Sequence, residues 1–294
     1  MPITDVSDMD ISPVSCDTDD MSEQPTLARR SLGAAFRRLR ETAGQSPRDV
    51  GDAIGVSRQT IGRIEDGKQA THILQAKALC EHFGVTRAKK SHLCDLAVRG
   101  KEKGWWEPYT SDSNGQVRPD FPLFLETEQV AAHIRVLETE VVPGLLQTPE
   151  YLTELQAAQL PQPPELAESV RGLRTHRQKL MADRTDRPRV EFLISRAVID
   201  YLDGTSAAVA ASQRKRLVEA AEEPNIDVRV ITRLHAGTAG AFAILTPPDD
   251  VPPFVYIDDL DGCRYVEDVD IVSVYERAFG LARTMSVPVE EYLS

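Results

Sequence analysis

SLGAAFRRLRETAGQSPRDVGDAIGVSRQTIGRIEDGK, residues 31–68, reads as three helices joined by short turns. Leu32, Phe36 and Leu39 recur at helical spacing, with Arg37, Arg38 and Arg40 between them. Gly44 ends that helix. Ser46 can cap a second helix, and Pro47 fits its first helical position because the missing N–H has no partner there. Val50, Ala53 and Ile54 give this helix its apolar stripe. Gly55-Val56-Ser57 is the tight turn; Ser57 caps a third helix, Val56 staples onto Ile61, and Gly67 terminates it. Two helices at a steep angle across a short glycine turn make a helix-turn-helix.

On the third helix Ile61 and Ile64 face inward, which leaves Arg58, Gln59, Thr60 and Arg63 outward near the N-terminal end. Those side chains suit base edges: arginine grips guanine N7 and O6 in a bidentate pair, and glutamine does the same with adenine. Helix N-termini favour phosphate, and the expected phosphate contacts are Ser46, Arg48, Ser57 and Lys68. The bland alternative is the ordinary solvated surface of a small helical bundle. Caps, turn, inward isoleucines and outward donors all agree with DNA binding.

The stretch from about Leu32 to Val85 resembles the Cro/phage-repressor (XRE) family of helix-turn-helix domains. The resemblance is carried by Leu32, Leu39-Arg40, Gly44, Ile54-Gly55-Val56-Ser57, Ile61 and Arg63-Ile64-Glu65-Asp66-Gly67. It implies a salt bridge between Arg40 and Glu65, tying the first helix to the third, and base-reading positions for Arg58, Gln59 and Arg63. The family usually has a glutamine, commonly on a phosphate, where this chain has Pro47. Proline has no donor, so Ser46 or Arg48 would have to supply that contact.

The 294 residues are enough for a small DNA-binding domain and a larger second one, and 41% hydrophobic content is adequate for real cores. No apolar run approaches a membrane span, and Met1-Pro2-Ile3-Thr4-Asp5 lacks the basic start of a signal peptide. Cys16, Cys80, Cys94 and Cys263 are scattered without a CxxC pair, which points to reduced thiols in a cytoplasm. The net charge of −12 looks wrong for a DNA binder until it is resolved by region. Residues 1–28 carry −7, residues 29–103 carry +8, and the remainder −13. Positive charge is concentrated where phosphate would be met.

The expected organisation is a disordered acidic tail over 1–28, a five-helix bundle over 29–99, a linker over 100–104 and an α+β domain with an antiparallel sheet over 105–294. The tail reads either as a solvating segment or as a phosphate mimic that competes for the basic surface. His72 to Phe83 and a helix capped by Thr86 complete the bundle, with Cys80 and Cys94 as packing residues. Trp105-Trp106 is expected to dock onto the second domain, and Asp112 to Arg118 to form a loop. Beyond, helices are expected over 124–134, from Thr148 to Pro161, over 165–182, 197–202 and 209–221, from Asp270 to Thr284, and over 289–293. Strands are expected over 137–142, 190–194 and 226–231. A meander over 241–245, 254–257 and 264–266 would follow, turning last at Asp261-Gly262.

Enzymatic constellations are missing from the sequence. There is no GxGxxG, no P-loop, no HExxH and no G-x-S-x-G elbow, so no catalytic residue, metal or cofactor is expected. The acidic runs at Asp249-Asp250, Asp258-Asp259-Asp261 and Glu267-Asp268-Asp270 read as solvated turns rather than a cation site.

Residues from about Gly104 to Leu293 resemble the C-terminal domain, described as antitoxin-like, that is common in actinobacterial XRE-type regulators. The specific part is Val142-Pro143-Gly144-Leu145-Leu146-Gln147-Thr148 with Tyr151. It is supported by Gly104-Trp105-Trp106, Leu125-Glu126, Glu128, Arg174, Arg177-Gln178, Pro224-Asn225-Ile226, Gly240-Ala241-Phe242 and Val255-Tyr256. Ser195-Arg196 stands where the family usually has an acidic residue. The resemblance implies a non-enzymatic transcription regulator, often encoded beside a small partner protein that the C-terminal domain engages. Together the readings give a cytoplasmic protein that acts as a homodimer on a double-stranded two-fold DNA operator, with no membrane. The alternative is an antitoxin-like protein that mainly sequesters its partner and binds DNA only for autoregulation.

Overall fold

The computed structural model describes residues 26–101, 104–110, 121–159, 161–248, 251–259 and 262–294. Most of the acidic tail, the 112–118 loop, Asp249-Asp250 and Asp261 therefore lie outside the described residues. The side chain of Thr26 accepts from Arg29 N–H and opens helix α1, Leu27–Thr42. The helix thus begins inside the span assigned to the tail. Leu27 and Ala28 are both buried, and that burial draws them into the helix. Helices α2 (Pro47–Ile54), α3 (Arg58–Glu65), α4 (Ile73–His82) and α5 (Arg87–Arg99) complete the bundle. Its core is Leu32, Phe36, Val50, Ile61, Ile64, Leu79, Cys80, Leu93 and Leu96.

The second unit runs through α6 (Glu107–Thr110), α7 (Phe121–Val130), β1 (His133–Glu138), α8 (Pro149–Ala158), α9 (Pro164–Ala182) and β2 (Arg189–Ser195). It continues with α10 (Arg196–Leu202), α11 (Ala207–Ala221), β3 (Ile226–Ile231), β4 (Phe242–Thr246), β5 (Phe254–Asp259) and β6 (Gly262–Val266). Helix α12 (Val269–Thr284), β7 (Ser286–Pro288) and α13 (Val289–Tyr292) close it. The seven strands form one sheet in the order β6-β5-β4-β1-β2-β3-β7. The expected antiparallel meander is β4-β5-β6, and the sheet as a whole is mixed, because β1-β2 and β2-β3 are parallel. Parallel neighbours need long crossovers, which α8-α9 and α10-α11 supply.

Helices cover both faces. One face packs Ile134, Phe192 and Val228 against Val198, Leu202 and Leu217, and its other half packs Leu245 and Phe254 against Trp106, Leu125 and Leu173. The opposite face packs Leu137, Leu193 and Ile244 under Val272, Phe279 and Ala282 of α12.

This burial corrects two boundaries. The helix expected over 124–134 is α7 at 121–130, and the strand expected over 137–142 is β1 at 133–138. A strand covered on both faces carries apolar residues on both and loses its alternation. Ile134 pairs with Val190, and Leu137 pairs with Leu193 but faces the other side. A third correction concerns α12: its cap is Asp268, whose Oδ1 accepts from the N–H groups of Asp270 and Ile271.

The Val142–Thr148 stretch is a knot of satisfied backbone. Val142 N–H donates to Tyr151 Oη at 3.1 Å, and Gln147 Nε2 donates to Val142 O at 2.7 Å. Gln178 Nε2 donates to the carbonyls of Gly144 and Gln147, at 3.0 and 2.8 Å. Gln213 donates to Leu146 O and accepts from Thr148 N–H, at 2.8 and 2.9 Å. Leu145 and Leu146 are buried beneath these bonds.

At the sheet's other end Glu191 accepts from His133 at 2.8 Å and meets Arg283 at 3.0 Å and Arg189 at 3.1 Å. The His133 bond and the two arginines hold its carboxyl down to about 2. Because the folded value lies below the unfolded one, this stabilisation is present above the ordinary glutamate range and is lost as pH falls towards 2. Denaturant midpoints measured from pH 6 to pH 2 should fall less steeply for Glu191→Gln than for the natural chain. Parallel curves would remove Glu191 from the acid response.

Candidate nucleic-acid interface

The reading head is assembled by caps. Ser46 Oγ accepts from Asp49 N–H at 3.2 Å while the Asp49 carboxylate takes the Ser46 N–H at 2.8 Å, closing a capping box on α2. Gly55 ends α2 at φ +75°, a left-handed conformation that glycine adopts without strain. Ser57 Oγ then accepts from Thr60 N–H at 3.0 Å and starts α3 two residues after that turn. Ile61 and Ile64 are buried, which fixes the roll of α3 about its axis.

Arg58, Gln59 and Arg63 are exposed along the opposite side of α3. Thr60 differs from them. It is half-buried and its hydroxyl is 2.9 Å from Ser57 Oγ, so that hydroxyl already has a partner within the cap.

The four expected phosphate residues are unequal. The Ser46 hydroxyl is 2.7 Å from Asp49 Oδ2, which both occupies it and sets a carboxylate beside the N-terminus of α2. Ser57 is occupied as a cap. Arg48 and Lys68 are exposed and only loosely held, 3.8 Å from Asp52 and 3.6 Å from Asp66. Gly62 was missed in the sequence reading. A Cβ there would meet no atom within 4 Å, so the helix surface is bare next to Arg58 and Arg63. The available signal was a glycine inside a short helix, where it costs about 1 kcal/mol relative to alanine.

Arg40 braces the head from behind. Its Nε and Nη2 meet the two Glu65 oxygens at 2.7 and 2.9 Å, and its Nη1 donates to Gln45 O at 3.0 Å. Glu65 is buried, so this bidentate pair ties α3 to α1 and to the loop before α2.

The other end of α1 is held by the second unit. Leu27 N–H donates to Glu126 of α7, Arg30 pairs with Glu267, and the Leu27 side chain joins the cluster of Trp106, Leu123 and Phe124. Burial pushes the Glu126 carboxyl up to about 7. Trp105 stacks on His176 at 5.0 Å, so both tryptophans pack within the second unit.

The arginines of α9 divide. Arg177 and Glu128 form a buried bidentate pair at 2.9 and 2.7 Å, with the guanidinium over the rings of Phe121 and Phe124. Its partner is therefore on α7 and not at Ser195-Arg196, where Ser195 caps α10. Among the described residues no group of three or more His, Cys, Asp or Glu is placed to hold a metal ion. No described helix is long and apolar enough to cross a membrane.

Two family models match this sequence: "Domain of unknown function (DUF5753)" over residues 121–293, and "Helix-turn-helix domain" over residues 31–93. A comparison with curated proteins finds no match. Among solved structures, the crystal structure of the clp gene regulator ClgR from C. glutamicum is similar at 23% identity, with a TM-score of 0.22. The alignment covers 26% of this chain and 97% of that one.

Proposed function

The chain belongs to the DUF5753 family, and we propose that it is a sequence-specific DNA-binding transcription regulator of the XRE type. In this reading it works as a homodimer, and its C-terminal half receives a small partner protein or effector. The observation that carries the reading is the exposed row of Arg58, Gln59 and Arg63 on a helix whose roll and position are fixed by Ile61, Ile64 and the Arg40–Glu65 pair. A merely solvated helix has no need of a buried bidentate brace beneath it.

The homodimer reading draws on α12. Ile271, Val274, Leu281 and Met285 are exposed at three-, four- and seven-residue spacings along the helix face away from the sheet. Two copies crossing antiparallel would cover the stripe, as a two-fold interface requires. The −13 charge of residues 104–294 favours a basic or amphipathic partner over direct contact with DNA.

The test is selection from random duplexes with the full chain, followed by sedimentation of the natural chain and Leu281→Glu. The expected result is a two-fold site with half-sites about one helical turn apart. The natural chain should sediment as a dimer and Leu281→Glu as a monomer with weaker operator binding. No enriched sequence at any salt concentration would overturn the regulator reading. A dimer unaffected by Leu281→Glu would move the interface elsewhere. Tight binding of a neighbouring small protein without change in operator affinity would favour sequestration.

A further inference from the structure

The second unit contains a cavity of about 240 Å³ between α7, α9, the Val142–Thr148 knot and the sheet. Its walls are mixed: Val136, Leu145 and Phe192 make an apolar side, while Arg174, Glu138 and Gln147 border it with their polar groups. We propose that this cavity binds a small amphipathic zwitterion, a free amino acid with a large apolar side chain or a molecule of that chemistry. Arg174 would hold its carboxylate, and Glu138 with Gln147 its ammonium group.

Arg174 makes the case for the carboxylate. Its neighbour Arg177 is fully engaged with Glu128, whereas Arg174 makes no hydrogen bond or close ion pair with a described residue and meets Glu128, Glu138 and Asp258 only through space. Its Nη1 presses on the knot: a Cβ at Gly144 would overlap it, which explains why the Pro143-Gly144 turn ends in glycine. Burial pushes its pKa down to about 10. Arg174 is half-buried, and its unbonded donors open onto the cavity; a planar carboxylate is the anion whose geometry matches such a fork.

The acidic side restricts the choice. Glu138 and Asp258 border the same cavity, so a doubly charged phosphate would be repelled. Gln147 donates through Nε2 to Val142 O, and its buried Oε1 has no hydrogen-bond partner among the described residues. That oxygen and the Glu138 carboxylate both call for a donor. A cationic group at one end and a carboxylate at the other satisfy both walls at once.

Size and access agree. Ligand pockets usually hold about 300–1,000 Å³, so this one suits a single small metabolite. A second cavity of about 240 Å³ shares Arg174 and is bounded by Gln162, Leu166 and Val170, giving the site an approach along α9. Helix α7 contributes Phe124 and Glu128 to the cavity and, through Glu126, accepts the Leu27 N–H of the head. An occupant that orders α7 has a direct physical route to α1. This consequence rests on the regulator reading; binding itself does not.

The experiment uses the full chain without DNA. Calorimetry is performed with L-phenylalanine, L-tryptophan and L-leucine, and with the methyl ester and N-acetyl form of whichever binds. We expect saturable binding of at least one free amino acid, a rise in its melting temperature, and at least tenfold weaker binding of both derivatives. Arg174→Gln should lose at least tenfold in affinity while the unliganded melting temperature stays the same or rises, since no ion pair is broken. Arg174→Lys, which keeps the charge, should retain part of the binding. No binding by any of the three, equal binding by the derivatives, or equal affinity in Arg174→Gln would each overturn the site. An operator titration with and without the amino acid then tests the coupling separately, and an unchanged affinity rejects the route through α7 while leaving the site intact.

Discussion

Arg58→Ala and Gln59→Ala are each expected to cost about 1–3 kcal/mol on the selected operator and to relax the preference at one base position. Both residues are exposed on α3 beyond the reach of the Arg40–Glu65 brace, so their removal leaves the head folded. Arg48→Ala is the contrast. As a phosphate contact on α2 it should weaken every duplex alike and reduce the dependence of log affinity on log salt by about 1. Fluorescence titrations on operator and random duplexes at several salt concentrations separate the two patterns. An equal loss on both duplexes for Arg58→Ala would remove it from base reading.

The largest effect on stability is expected at Glu128. Replacing it by alanine leaves Arg177 buried without its bidentate partner, at a cost of about 3–5 kcal/mol. Replacing both residues together, Glu128→Leu with Arg177→Met, removes the charge and the desolvation penalty at once and should recover most of that loss. Urea unfolding of the two single variants and the double variant gives the coupling. A Glu128→Ala chain within about 0.5 kcal/mol of the natural one would show the pair to be relaxed by solvent.

Local chemistry made the head legible. Ser46, Pro47, Gly55 and Ser57 act on residues within four positions of themselves, and the structure places caps and turns at those positions. Strands β2 to β6 were equally legible, as short apolar runs between turn residues. What escaped the sequence depends on distant partners. The start of α1 is decided by Glu126 and Trp106, far along the chain from Leu27. Strand β1 hides its period because α12 covers the face opposite Ile134. Strand β7 has only three residues and exists by pairing with β3. The Arg174 cavity is drawn from α7, α8, α9, four strands and a turn, so no spacing announces it.

Because α1 is gripped at Leu27 by one core and at Phe36 by another, the head has no swivel. On a duplex, that turns distance into phase. A tethered head could follow a half-site around the helix if about five base pairs, half of a ~10.5-bp turn, were inserted at the centre of the operator. A clamped head would instead face the wrong groove, and binding would return only when the full turn was restored. In the proposed dimer, the grip on the first residue of one helix would make the protein a gauge of DNA rotation as well as a reader of bases.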